Sequence, residues 1–240
     1  MQSTSSVSSS STLFFEDKPL FGLDIGHGSV HVVQLDVART KPRIVGYGMT
    51  IFDQQAIEGG IIVKPEIIAE AVQKLFQHNL VGDITTNRVA LAVPVAQAFT
   101  RALDTPKLSD KELSEAVKTE VEQYIPAAAD SLYVDYSQVN DTSGKSGVFV
   151  VAMPKKIVDS YIMLARLLGL ETVLVETSSG AGANLFRRDA QSDVPTVLVD
   201  FGSGSADITI YDNNPIVSGT APCRSEERRV GKECRSRGSP

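Results

Sequence analysis

Apolar residues in the first hundred positions come in short runs broken by glycine and proline. Phe21 to Ile25, Val30 to Val37 and Arg43 to Phe52 are rich in Val, Ile and aromatics and predict three strands. The period then changes. Pro65 opens a helix in which Ile67, Ile68, Ala71, Val72, Leu75 and Phe76 recur on one face, with Gly82 just past its end. Arg88 to Val93 reads as a buried strand stopped by Pro94, and Phe99 to Leu103 as a further strand. Ser109-Asp110-Lys111-Glu112 is a capping-box pattern, because the Ser hydroxyl and the Glu carboxylate can each satisfy an orphan amide. Its helix is expected to run to about Tyr124, ahead of Pro126.

The second half alternates in the same way. Leu132 to Val139 and Gly147 to Ala152 predict strands paired across the polar loop Asn140 to Ser146. Lys155 to Leu168 is an amphipathic helix with Gly169 as its stop. Thr172 to Val175 is a strand, Ser178 to Arg188 a helix with small residues early on, and Thr196 to Asp200 and Ala206 to Tyr211 are strands. Pro215 to Gly219 begins a third. Elements of both periods in this order imply a mixed α/β fold.

Charge sharpens the picture at the two ends. Met1 to Thr12 is nearly all Ser and Thr, with neither a basic start nor an apolar core, so it reads as a disordered tail and not a secretory signal. The formal net charge of the 240 residues is −6, which argues against a general nucleic-acid binder. Arg224 to Pro240 breaks with what precedes it: five Arg and one Lys stand against three Glu, and Val230 is the only aliphatic residue. Without that segment the net charge is −9. The segment resembles an adapter oligonucleotide translated in frame, in which case the native sequence is expected to continue past Pro222. A native basic tail for an acidic surface is the competing reading. Both cysteines, Cys223 and Cys234, fall in the last stretch of the chain, so no disulfide framework or cysteine metal site is expected in the body and a cytoplasmic compartment fits.

The most informative pattern is an internal repeat. Asp24-Ile-Gly-His-Gly-Ser29 recurs as Asp200-Phe-Gly-Ser-Gly-Ser205 at a constant offset of 176, and Asp36 matches Asp212 in the same register. Each copy lies between a strand ending in Asp and a second strand, so each predicts a hairpin with a glycine-rich tip. Glycines let backbone amides approach a ligand, and successive amides in such a turn form a concave anion site. The candidate phosphate-binding residues are therefore Gly26, His27, Gly28 and Ser29 with Gly202, Ser203, Gly204 and Ser205. Asp24 and Asp200 stand where they can hold Mg²⁺ through water. Each motif alone is equally a tight turn. Two copies in one strand context favour a clamp closing on a triphosphate from both sides.

These duplicated hairpins resemble phosphate-1 and phosphate-2 of the actin, sugar-kinase and Hsp70 superfamily. The chain is more closely similar to the type IV pilus assembly PilM family, itself similar to the division protein FtsA. Carrying that resemblance are Leu20-Phe-Gly-Leu-Asp-Ile-Gly26 with Val30-His-Val-Val-Gln-Leu35, Gly59-Gly-Ile-Ile-Val-Lys-Pro65, Val89-Ala-Leu-Ala-Val-Pro94, and Glu122-Gln-Tyr-Ile-Pro126 after an acidic helix. It implies an actin-like (ribonuclease H-like) duplicated α/β fold with an inserted small FtsA-like α+β subdomain of SHS2 type. The implied layout is a disordered 1–19, a first part of domain 1A at 20–96, the insert at 97–150, the rest of 1A at 151–192, an incomplete domain 2A beginning at 193–222, and a non-native 223–240. It also implies ATP and Mg²⁺ as ligands, and as partner the cytoplasmic N-terminal segment of a PilN-type inner-membrane protein among other pilus-platform components. Membrane association would then be indirect, at the inner face of the cytoplasmic membrane. His31 stands where the family commonly has Lys. Glu176 lies near where relatives place a residue that positions the attacking water, and it reads equally as a helix N-terminal carboxylate. At most a slow ATPase is implied, with little ATP affinity expected of these 240 residues. The alternatives are an FtsA-like division protein and a phosphotransferase of the sugar-kinase superfamily.

Overall fold

The computed structural model describes residues 18–37, 41–104, 108–140, 146–189, 195–202, 205–212 and 214–222. The repetitive N-terminal segment to residue 17 and the basic segment from residue 223 lie outside them.

Three strands open the chain as the alternation predicts: β1 (Phe21–Ile25), β2 (Ser29–Asp36) and β3 (Arg43–Ile51). A two-residue hairpin that carries no periodic signal follows, β4 (Ile57–Glu58) and β5 (Ile61–Ile62). Helix α1 (Pro65–His78) starts at the proline, whose missing N–H is an orphan there in any case, and carries Glu66 in its first turn and His78 in its last. The chain does not then loop to Gly82 but returns as a short strand, β6 (Leu80–Gly82). Next come β7 (Arg88–Val93) and β8 (Phe99–Asp104). Helix α2 (Asp110–Tyr124) has the expected capping box: the Ser109 amide donates to Glu112 Oε2 at 2.9 Å, and the Glu112 amide to Ser109 Oγ at 3.5 Å. The rest is β9 (Leu132–Asn140), β10 (Ser146–Pro154), α3 (Lys155–Leu167), β11 (Glu171–Thr177), α4 (Ser178–Asp189), β12 (Thr196–Phe201), β13 (Ser205–Asp212) and β14 (Asn214–Pro222).

Three larger sheets result. The first has strand order β11-β7-β1-β2-β3-β6. β1, β2, β3 and β6 form an antiparallel series, whereas β1, β7 and β11 run parallel and end at one edge. Strand periodicity sends Phe21, Leu23, Ile25, Val30, Val32, Val89, Leu91 and Val93 to one face, where α1 and α3 cover them with Ile68, Val72, Leu75, Ile157, Tyr161 and Leu164. Each such aliphatic side chain contributes about 1.5–3 kcal/mol on leaving water. Gly48 marks the tightest approach of helix to sheet, since a Cβ there would lie 2.8 Å from Leu75 Cδ1 and 2.8 Å from the Asn79 carbonyl.

The second sheet, β8-β10-β9, is antiparallel and has a separate core. Leu113, Val117 and Val121 of α2 pack on Val148, Val150 and Ala152 of β10 with Leu132. The third sheet, β12-β13-β14, is an antiparallel meander tied to its neighbours by polar contacts. The Thr100 hydroxyl of β8 donates to the Ser218 carbonyl of β14 at 3.0 Å, and the Tyr211 hydroxyl of β13 to the Ser179 carbonyl of α4 at 3.3 Å.

Because Leu75 is fully buried where α1 meets the sheet, Leu75→Ala is expected to remove about 2–5 kcal/mol of stability in urea unfolding. The exposed Met163→Ala should stay within about 0.5 kcal/mol of the parent. Equal effects of the two would contradict this account of the core.

Candidate functional site

The two glycine-tipped hairpins are superimposable in register. In the first, Phe21 pairs with Gln34, Leu23 with Val32, Asp24 with His31 and Ile25 with Val30. In the second, Val197 pairs with Ile210, Val199 with Ile208, Asp200 with Asp207 and Phe201 with Ala206. Every one of these pairs is the other shifted by the offset of 176 read from the sequence. Each Asp is thus the last residue but one of its strand, on the sheet face opposite the aliphatic series.

At the first tip the Gly26 amide donates to the Ser29 carbonyl at 2.9 Å, closing the turn, and the Phe52 amide donates to the Gly28 carbonyl at 3.1 Å. A Cβ at Gly28 would sit 3.0 Å from Gln54 Cγ, so the chain passes too close there for a side chain to be accommodated freely. His27 is exposed at the tip, whereas Gly28 is buried. At the second tip Gly202 is exposed and Ser205 enters β13 opposite Pro222. Ser203 and Gly204 lie outside the described residues.

Asp24 reports what surrounds this place. His31 Nδ1 lies 3.6 Å from Asp24 Oδ2, and about half of each side chain (49%) is open to solvent. Burial nevertheless pushes the Asp24 carboxyl above the ordinary carboxylate range. The charge of His31 opposes that shift, and the charges of Asp200 and Asp207 reinforce it. The charge of Asp200, 176 positions further along the chain, therefore reaches the carboxyl of Asp24.

Asp207 is a residue that motif reasoning passed over. It occupies in the second hairpin the position of His31 in the first, and that correspondence was the available signal. Its Oδ2 accepts from Ser178 Oγ at 3.1 Å and its Oδ1 from Thr220 Oγ1 at 2.6 Å, so it joins the start of α4 to β13 and β14.

Glu176 sits elsewhere in the same architecture. Ala92 of β7 pairs with Asp24 of β1 on one side and with Glu176 of β11 on the other. The two carboxylates therefore lie in one row, two strand spacings or about 10 Å apart. Asn184 Nδ2 donates to Glu176 Oε1 at 2.5 Å, and burial raises the Glu176 carboxyl. Burial, followed by the charge of Glu176, pushes the Tyr211 phenol up to about 12. Glu176 is thus engaged by α4 and β13. The Thr177 hydroxyl beside it accepts from the Gly180 amide at 3.1 Å and caps α4.

Asp24, beside His31 and within the fields of Asp200 and Asp207, offers oxygen donors of the kind a hydrated divalent cation takes through its water shell. Among the described residues, no three His, Cys, Asp or Glu side chains converge as a ready metal cluster.

Comparison with known proteins was made against this geometry. The family model described as type IV pilus assembly protein PilM matches residues 22–218. The solved PilM-PilN type IV pilus biogenesis complex contains a chain 22% identical with a TM-score of 0.73, over 84% of this chain and 60% of that one. The cytoplasmic domain of EpsL, an inner-membrane component of the type II secretion system of Vibrio cholerae, is 7% identical with a TM-score of 0.54, over 85% and 71%. The chain thus spans about 60% of the length of the PilM-PilN structure's matching chain. These likenesses show the fold, and it is the mixed α/β, actin-like one that the resemblance implied.

The raised carboxyl of Asp24 has a definite sign in stability. The folded state holds this proton to a higher pH than the unfolded state does. Its contribution is therefore fully present below the unfolded value near about 3.9 and is lost as pH rises through the folded one. Asp24→Asn is expected to raise the melting temperature at pH 7, and the gain should shrink towards zero below about pH 4. A variant less stable than the parent at pH 7 would show that the pair with His31 outweighs burial and crowding.

Proposed function

The chain belongs to the type IV pilus assembly protein PilM family, and on that premise we propose that it is an actin-like scaffold that binds ATP with Mg²⁺ and the cytoplasmic N-terminal segment of a PilN-type membrane protein. The observation that carries the nucleotide half is the matched pair of hairpins in which the charge of Asp200 reaches the carboxyl of Asp24. In this reading the amides and hydroxyls of Gly26, His27, Gly28, Ser29, Gly202, Ser203, Gly204 and Ser205 hold the phosphates from two sides. Asp24 and Asp200 hold Mg²⁺ through its water shell, and His31 sets an imidazole 3.6 Å from Asp24 Oδ2 on the first hairpin. The bound cation would neutralise the crowded carboxylates and the phosphate charge together. Glu176 is already engaged by Asn184, which supports a binding role with slow hydrolysis at most.

The partner half rests on the relative solved as a PilM-PilN complex and on a groove in this chain. A cavity of about 340 Å³ opens between α2 and β8 and is lined by Phe99, Val121, Tyr124, Ile125, Val150 and Ser218. The Arg101 guanidinium stacks 3.8 Å over the Tyr124 ring at its side. We assign the groove to the apolar side chains of the partner's segment and residues 97–150 to the inserted subdomain that presents it. Ser218 of β14 closes the groove and is bonded to Thr100 of β8, so an occupant would contact the lobe that carries the second hairpin. Nucleotide setting the relation of the lobes would then alter the groove, and the coupling would be reciprocal. Among the described residues no helix is long and apolar enough to cross a membrane, and we place the protein at the cytoplasmic face through its partner.

Fluorescent-nucleotide titration on the longest product of the source gene tests the first half. ATP should bind only with Mg²⁺, and Asp24→Ala or Asp200→Ala should each weaken it at least about tenfold. Unchanged affinity in both variants would remove the clamp. For the second half, Tyr124→Ala, at an exposed position of the groove, should weaken binding of the partner's N-terminal peptide at least about tenfold in calorimetry and leave Mg-ATP affinity within about twofold. Retained peptide binding would place the partner elsewhere.

A further inference from the structure

The groove between α2 and β8 contains one polar atom that nothing in the protein satisfies. Glu120, Val121 and Tyr124 of α2 line one wall, with Glu120 and Tyr124 one helical turn apart. On the opposite wall the polar groups are taken. The Thr100 hydroxyl donates to the Ser218 carbonyl at 3.0 Å and accepts from the Ser218 amide at 3.3 Å, so these groups satisfy one another. The groove's own arginine, Arg101, is stacked 3.8 Å over the Tyr124 ring. Glu120 Oε2 remains, closed off from solvent and without a hydrogen-bond partner.

A carboxylate oxygen can only accept, so what this atom lacks is a donor. Leaving it buried and unpaired is unfavourable, and a cationic donor offsets that better than a neutral one, because Coulomb attraction adds to the hydrogen bond. The rest of the lining suits a cation carried on a long stem. Phe99, Leu103, Val121 and Ile125 offer apolar surface for the methylenes of a lysine or arginine. Helix α2 as a whole carries five acidic residues against two lysines. Such a field draws a basic segment towards the groove and disfavours an acidic one.

We propose that Glu120 is the specificity-determining residue of this groove, and that it receives a lysine or arginine side chain of the polypeptide segment bound there, with the stem against the apolar lining and the charged head at Oε2. The inference rests on the assignment of the groove to the partner's segment and adds the chemistry of the residue that the groove selects. In the free protein the Glu120 oxygen is an acceptor without a donor. In the complex it becomes one half of an ion pair shielded from water. A segment with a neutral residue at that point would cover the carboxylate and leave it unpaired, so discrimination comes from the penalty on the wrong occupant as much as from attraction to the right one.

The test is a double-mutant cycle in calorimetry. The probe is a synthetic peptide copying the cytoplasmic N-terminal segment of the PilN-type protein encoded in the source genome. In a set of variant peptides each Lys is replaced by norleucine and each Arg by citrulline, one position at a time. Glu120→Gln keeps the size of the side chain and should weaken the native peptide at least about tenfold. One neutral replacement in the peptide should weaken binding to the parent by a similar factor. That same peptide should bind the parent and Glu120→Gln within about twofold of each other, since the pair can be lost only once. Unchanged affinity of Glu120→Gln for the native peptide would overturn the proposal. So would a loss that every neutralised peptide shows equally, or binding by a native segment that holds no basic residue. Each of these outcomes leaves the groove standing as the partner's site. Failure of the native peptide to bind the parent at all would instead remove that assignment and this inference with it.

Discussion

The candidate site depends on one unfavourable interaction: Asp24 is half-buried within the fields of Asp200 and Asp207, and the charge of His31 opposes them. Burial and like charge both push the Asp24 carboxyl upward. A carboxyl held above its ordinary range by burial and neighbouring like charge is a candidate mark of ligand binding. The hairpin geometry explains how it arises. Each Asp is the last residue but one of its strand, on the face away from the aliphatic series, and in the third sheet that face meets the start of α4 through Ser178 and Asp207. The same register that buries Leu23 therefore presents Asp24.

Helix α4 links the halves. Its first turn is capped by Thr177 at the end of a parallel strand, its Ser178 hydroxyl reaches Asp207, and its Ser179 carbonyl receives the Tyr211 hydroxyl. A second link runs from Thr100 of the small sheet to Ser218 of the third. Both are built from hydroxyls and main-chain groups, not from interdigitated aliphatics. Such contacts reset at small cost compared with repacking a core, which is compatible with the coupling proposed between the two sites.

Much of this was legible in the sequence because its signals were periodic or stereochemical. Alternation located β1, β2, β3 and β7, the 3.6 period located α1 and α3, and Ser109 with Glu112 announced α2. The repeat was legible to the residue, since identical pairing preserves an offset that no insertion interrupts within the hairpins. What escaped had no such signature. β4, β5 and β6 are two or three residues long, below the span in which a period can register, and β6 occupies the stretch between the end of α1 at His78 and Gly82, which was expected just past the helix. The family resemblance was legible through its motifs, and the matched model over residues 22–218 establishes it. Asp207 escaped because it lies outside the glycine motif. The engagement of Glu176 by Asn184 and its field at Tyr211 are tertiary facts that one strand-end carboxylate cannot announce.

The central claim is that residues 24 and 200 share one electrostatic space. Carbon-13 carboxyl NMR titration of Asp24 measures it directly, in the parent and in Asp200→Asn. The account predicts that Asp24 titrates above the ordinary aspartate value near about 3.9 in the parent and moves down once Asp200 is neutral. An Asp24 that titrates at the ordinary value, indifferent to the charge at residue 200, would contradict it.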